Sequence, residues 1–230
     1  MSRIFLLRHA QSVANESGIL AGQISGISLS KSGQQEASEL VERIGTMKFD
    51  SIRVSPMQRC QETISPWVAS SYGSGLGQYL LDDRIIEMDY GSWSGKKLSR
   101  LSREKLWKDI QKNPSKVTFP DGEKFTSMQK RAFETIKELG VAKKASNHLV
   151  VSHGDVIKSM IASVLKMKLD SFQSLIINPA SLTVIDFDGD EARLIAYNDV
   201  KTPFKNFAQS PKSMKVLLGG GAGLKGRKNR

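Results

Sequence analysis

The sequence predicts a single α/β domain built on a parallel sheet, and three observations carry that expectation. Short apolar runs alternate with amphipathic helical stretches over the first 200 residues, with no internal repeat or linker. Three of those runs end in groups suited to binding phosphate, the pattern of an open α/β sheet at the carboxyl edge of its strands. At 230 residues, 39% hydrophobic and 25% charged, the chain can bury a sizeable core.

Ile4-Phe5-Leu6-Leu7 reads as the first buried strand. Residues 30–44 place Ala37, Leu40, Val41 and Ile44 at helical spacing. A second strand is expected at 49–54, after which Ser55 suits an N-cap and Pro56 a first helical position. Pro66 is expected to kink or end that helix. Residues 79–81 form a short strand leading into the segment 87–95. Residues 97–111 are expected as one polar helix, broken at Asn113-Pro114. Residues 127–139 are amphipathic through Met128, Ala132, Phe133, Ile136 and Leu139, with Gly140 placed to cap them. The strongest core pair is a strand at 148–152 and a helix at 155–167 that turns Val156, Ile157, Met160, Ile161, Val164 and Leu165 inward. Residues 182–187 and 192–197 close the domain as a hairpin across Asp188-Gly189-Asp190.

Composition narrows the function classes. The net charge is +11, but eight of those positive charges lie from Lys201 onward, where no acid occurs, so the body keeps only +3. Residues 201–230, with Gly219-Gly220-Gly221-Ala222-Gly223, are expected as a basic flexible tail beyond a domain of residues 1–200. That distribution argues against a nucleic-acid partner. The glycines match neither nucleotide-loop pattern. No apolar run approaches a membrane span, Arg8 ends the first run too early for a signal peptide, and Cys60 is the only cysteine. A cytoplasmic protein is the expectation.

The chemistry gathers at strand ends. Arg8 and His9 follow the first strand, Arg59 lies one helical turn past the second, and His153-Gly154 follows the strand at 148–152. Arg presents a planar fork to phosphate oxygens. Histidine can attack phosphorus and carry a phosphoryl group. Gly154 stands where strand turns into helix, so backbone N–H groups and the helix's positive end can approach an anion. Each signal alone is weak; their convergence on one sheet edge points to covalent phosphoryl chemistry. His148, at the head of its strand and away from that edge, reads as structural.

Four segments then resemble the motifs of the histidine phosphatase superfamily, phosphoglycerate mutase-like branch, in family order. Leu7-Arg8-His9-Ala10-Gln11-Ser12-Val13-Ala14-Asn15 resembles the nucleophile motif, with Ala10 where Gly is usual. Ser55-Pro56-Met57-Gln58-Arg59 is similar to the second motif, Glu87-Met88-Asp89-Tyr90-Gly91 to the acid-bearing loop, and Val150-Val151-Ser152-His153-Gly154 to the second histidine motif. The loop at 22–30 departs from the family, carrying Gly26 and Ser28 where Asp and Pro are common. The resemblance implies a three-layer sandwich, a mostly parallel sheet with helices on both faces.

It also implies roles. His9 is the expected nucleophile and Glu87 the expected acid and base, with Arg8, Arg59 and His153 completing the catalytic set. Arg8, Asn15, Arg59, His153 and Gly154 are the expected phosphate ligands. Asp155 is the rival acid, or a carboxylate at a helix start; Asn15 has an alternative role in the turn. Cys60 lacks an Arg six positions on, as a thiolate phosphatase loop would need, and reads as core packing. No residues show metal-ligand spacing, and two arginines would repel a divalent cation, so neither metal nor cofactor is expected. The reaction implied is hydrolysis of a small phosphorylated metabolite. The alternatives are a cofactor-dependent phosphomutase or a degenerate binding module. Glycolytic mutases of the family carry Glu-Arg-His-Tyr-Gly where this chain has Met88 and Asp89, which favours the phosphatase.

Overall fold

In β1 (Ser2–Arg8) the side chains divide by parity: Ile4 and Leu6 enter one apolar cluster, Phe5 and Leu7 another on the opposite face. A strand buried on both faces needs a layer of helices on each side, and the computed structural model, which describes residues 2–73, 79–141 and 146–208, shows those layers. β2 (Ser51–Val54), β3 (Leu80–Leu81) and β4 (Asn147–Ser152) join β1 in parallel pairing; β5 (Leu182–Phe187) is antiparallel to β1, and β6 (Ala192–Asp199) to β5. The strand order is β3-β2-β4-β1-β5-β6.

Seven α-helices accompany the sheet among the described residues: α1 (Val13–Glu16), α2 (Lys31–Ile44), α3 (Gln58–Ala69), α4 (Leu98–Leu101), α5 (Lys105–Lys112), α6 (Phe125–Gly140) and α7 (Gly154–Val164). α2 and α3 pack Ala37, Leu40, Ile44, Ile64 and Trp67 against Phe5 and Leu7. On the other face α6 and α7 bring Met128, Ile136, Val156 and Met160 to Ile4 and Leu6. The expected three-layer sandwich is what forms. Its register fixes the functional edge: Arg8 pairs with Ser152, and Val54 with Val151. His9, Ser55 and His153 therefore leave the sheet at nearly one level.

Several elements differ from expectation for identifiable reasons. α3 starts at Gln58 with Met57 at the N-cap, because the Ser55 hydroxyl is engaged with His153. Pro66 does not end α3, which runs on to Ala69; in the last turn it forfeits a single backbone bond. The expected helix at 97–111 is two, α4 and α5. Leu101 and Ile110 are both buried yet nine residues apart, about two and a half helical turns, so one straight helix would point them oppositely. Gly140 is the last residue of α6, not its cap, and a Cβ there would stand 2.4 Å from the Phe187 ring. α7 stops at Val164, short of Met167.

The domain also continues past the expected boundary at 200. Phe204 is fully buried and stacks on Phe5 at 5.9 Å, while Arg3 donates to the Phe207 carbonyl at 2.6 Å. Core packing thus includes residues first assigned to the tail; 209–230, with the glycine run, lie outside the described residues. Among the described residues no helix is long and apolar enough to cross a membrane.

Candidate active site

His9 leaves β1 into a clamp of backbone bonds. Its own N–H donates to the Ser152 carbonyl at 2.9 Å, and the Ala180 N–H donates to its carbonyl at 3.3 Å. The next residue, Ala10, donates to Thr63 Oγ1 at 2.9 Å. Nδ1 of His9 sits 2.7 Å from the Ala10 carbonyl oxygen. A carbonyl can only accept, so Nδ1 carries the proton and Nε2 keeps its lone pair. Burial, then the charges of Arg59 and Arg8, hold this imidazole well below its ordinary pKa. At neutral pH, Nε2 is a free base.

Two guanidinium groups flank it. Arg8, the last residue of β1, donates through Nη1 to the Ile177 carbonyl at 2.5 Å. Arg59, in the first turn of α3 and 1% exposed, donates through Nη2 to the Gly22 carbonyl at 2.9 Å. Gly22 holds a left-handed φ of +54°, and a Cβ there would lie 2.7 Å from Ser94 Oγ, so a larger residue would displace that carbonyl. Arg8 Nε and Arg59 Nη1 are buried without a hydrogen-bond partner. Unspent donors on buried cations are costly, and an anion is the group that satisfies them.

His153 lies behind this layer, fully buried, its ring centroid 5.2 Å from that of His9. Arg59 Nη2 approaches Nδ1 at 3.1 Å and can only donate, so Nδ1 accepts and Nε2–H donates to Ser55 Oγ at 2.7 Å. Burial, Arg59, His9 and Arg8 all depress its pKa, which keeps it neutral. His153 is not among the residues that line the cleft, because in this state its Nδ1 accepts from the Arg59 guanidinium and has no proton to offer.

Glu87 is 9% exposed, with Oε1 accepting from the Met88 N–H at 2.9 Å. Oε2 lies 3.7 Å from His153 Nδ1 and 4.0 Å from Arg59 Nη2. Burial and the charge of Asp155, opposed by Arg59, push its carboxyl up to about 7. Its carbonyl is held by Gln23 Nε2 at 2.8 Å and by Arg131 Nη2 at 3.1 Å. Arg131 on α6 also binds the carbonyls of Arg84 and Ile86, so it anchors the whole loop that carries Glu87. No sequence signal distinguished it from a surface charge.

These groups open onto a cleft of about 410 Å³ lined by Arg8, His9, Asn15, Arg59, Glu87 and Gly154. Asn15 lines the cleft, and its Oδ1 accepts from the Ser12 N–H at 3.1 Å to close the turn, its alternative role. Gly154 opens α7, whose N-cap supplies no side-chain acceptor, leaving first-turn N–H groups unspent by a cap. A Cβ at Gly154 would make only ordinary contact, 3.5 Å, with Arg8. Asp155 is more than a helix-start carboxylate: it accepts from Tyr90 Oη at 2.8 Å and faces Lys158 Nζ at 3.4 Å. Lys158 lines the cleft as well, a third cation that the sequence did not reveal. Gly26 and Ser28, where the chain departs from the family pattern, do not line the cleft.

Cys60 is fully buried in the core, its thiol pushed up to about 12 by burial. His148 bridges Ser51 and Ser146 at the opposite end of β4. Among the described residues no three His, Cys, Asp or Glu side chains are grouped to hold a metal.

Residues 4–200 match the model of the histidine phosphatase superfamily (branch 1). The chain belongs to that superfamily. Within it, phosphoserine phosphatase 1 of Hydrogenobacter thermophilus is 29% identical over 191 residues, spanning 82% of this chain and 88% of that protein. The 2,3-bisphosphoglycerate-dependent phosphoglycerate mutase of Thermoplasma acidophilum is 26% identical over 196 residues, again 82% and 88%. The solved structure of Bacillus stearothermophilus YhfR shares the fold, with a TM-score of 0.78 at 24% identity over 87% of this chain and 98% of that one.

The tautomer of His9 is directly observable. Nitrogen-15 NMR of imidazole-labelled protein is expected to show His9 protonated at Nδ1 only from pH 8 down to about pH 5, since an ordinary histidine with a pKa of about 6.5 would have become imidazolium by then. A doubly protonated ring near pH 6.5 would contradict the site electrostatics.

Proposed function

We propose that this chain is a phosphatase that hydrolyses a small phosphomonoester through a phosphohistidine on His9. The observation that carries the reading is the free lone pair of Nε2 on a cleft-lining imidazole beside two guanidinium groups whose buried Nε and Nη1 retain unspent donors. A phosphate monoester brings nearly two negative charges. Arg8 Nε, Arg59 Nη1, the first N–H groups of α7 and the amide of Asn15 receive its oxygens.

Nε2 then attacks phosphorus while the bond to the leaving oxygen breaks, and protonated Glu87 gives that oxygen its proton. Nδ1 keeps its proton throughout, donating it to the Ala10 carbonyl, so the phosphorylated ring is cationic and leaves readily. In the second step water attacks phosphorus, the Glu87 carboxylate takes its proton, and inorganic phosphate departs with Nε2 restored. A carboxyl near pH 7 is suited to both halves. His153 holds Arg59 and becomes a donor to phosphate at Nδ1 when its proton shifts from Nε2. The Ser55 hydroxyl accommodates either state, since it both donates and accepts.

Hydrolysis is favoured over phosphoryl return by what surrounds the cleft. A mutase shields its phosphohistidine from water, whereas Leu98 and Ile176, both lining this cleft, are 38% and 65% exposed. Met88 is fully buried and Asp89 caps the Gly91 N–H at 2.9 Å, so neither adds a cation for a substrate carboxylate. The substrate is a small phosphorylated metabolite, not nucleic acid, given the modest charge of the body. A free, buried Cys60 is compatible with a reducing cytoplasm.

His9→Ala is expected to abolish phosphate release from a generic aryl phosphate; wild-type rates in that variant would remove the nucleophile assignment. Glu87→Gln is expected to slow alkyl phosphates by roughly 10²–10⁴-fold, and aryl phosphates, whose leaving groups scarcely need a proton, much less. Because Glu87 must enter protonated, wild-type kcat/KM for an alkyl phosphate should fall as pH rises through about 7. Equal slowing of both substrate classes would sink the acid assignment.

A further inference from the structure

Beside the phosphate cleft lies an apolar compartment of about 170 Å³, walled by Trp93, Trp107, Ile110, Phe119, Phe125 and Leu98. It adjoins the cleft, and Leu20, Tyr90, Leu98, Asp155 and Gln173 line both. Its walls are mutually braced. Trp93 stacks on Trp107 at 6.5 Å and 17°, and Phe119 meets Trp93 edge-on at 5.6 Å and Tyr90 at 5.0 Å. Such a preformed surface needs little side-chain ordering when a ligand enters. At the junction the polar atoms are already engaged: Tyr90 Oη donates to Asp155, and Asp155 faces Lys158. An apolar group entering here meets no isolated charge.

We propose that this compartment receives the body of the leaving group and selects phosphomonoesters whose alcohol carries a compact aromatic or branched aliphatic group. The proposal rests on the phosphatase reading and deepens it by naming a substrate class. Size supports the assignment, because an apolar cavity of about 150 Å³ is known to hold benzene. A phenyl-sized body fits, whereas a nucleoside exceeds the room. Moving such a group out of water is expected to strengthen binding by roughly 10–100-fold.

Calorimetric titration of the full chain with benzylphosphonate and methylphosphonate tests this without turnover. Benzylphosphonate is expected to bind roughly 10–100-fold more tightly. The ratio of kcat/KM for benzyl over methyl phosphate, whose alcohols are of similar acidity, should follow it. Ile110→Trp and Gln111→Trp, which fill the compartment from its buried and exposed sides, are expected to bring both ratios to within about threefold of unity. Gln111 is exposed, so that variant retains the test if Ile110→Trp fails to fold. Equal affinities in the wild type, or a preference that survives filling, would overturn the compartment while phosphate release leaves the phosphatase reading standing. Absence of both phosphonate binding and phosphate release would overturn the two together.

Discussion

The proton on His9 Nδ1 is held by the carbonyl oxygen of the adjacent residue, and the ring is buried between two permanent cations. That constraint decides the tautomer, keeps the ring neutral and directs a lone pair into the cleft. Protein interiors rarely keep cations with unspent donors, because a buried, incompletely bonded charge costs several kcal/mol. Here Arg8 and Arg59 bear that cost beside a neutral imidazole. The arrangement is suited to a ligand that supplies negative charge and is attacked while it does so.

The scaffold serves this geometry through register. Parallel pairing of β1, β4 and β2 brings His9, His153 and Ser55 out at one edge, and α3 and α7 start close behind them. Glu87 is placed differently. Glu87 belongs to a loop without regular structure, fixed by Arg131 from α6 and by Gln23. The position of His9 is thus set by the sheet, and that of Glu87 by side-chain bonds to backbone carbonyls.

The sheet and the sequence signals for His9, Arg8, Arg59 and His153 were legible because apolar runs end abruptly in polar groups at strand termini. α2 was legible through Ala37, Leu40 and Ile44. What escaped depends on contacts distant in sequence. Ser55 resembles a helix cap until His153, 98 residues away, takes its hydroxyl. Gly140 resembles a helix stop, yet it is needed for room against Phe187. Arg131 and Lys158 look like helix surface charges, and only the fold shows one gripping the Glu87 loop and the other at the cleft. Phe204 sits in a basic stretch with no periodic pattern, and its stacking on Phe5 could not be read locally.

The most direct measurement is rapid acid-free quenching of the enzyme during turnover of a phosphorus-labelled monoester, followed by peptide mass spectrometry. Phosphoryl transfer to Nε2 predicts an alkali-stable, acid-labile phosphate on the peptide bearing His9, formed ahead of free phosphate and lost as it appears. Steady turnover with label on another residue, or with no phosphorylated residue at any time, would contradict the account.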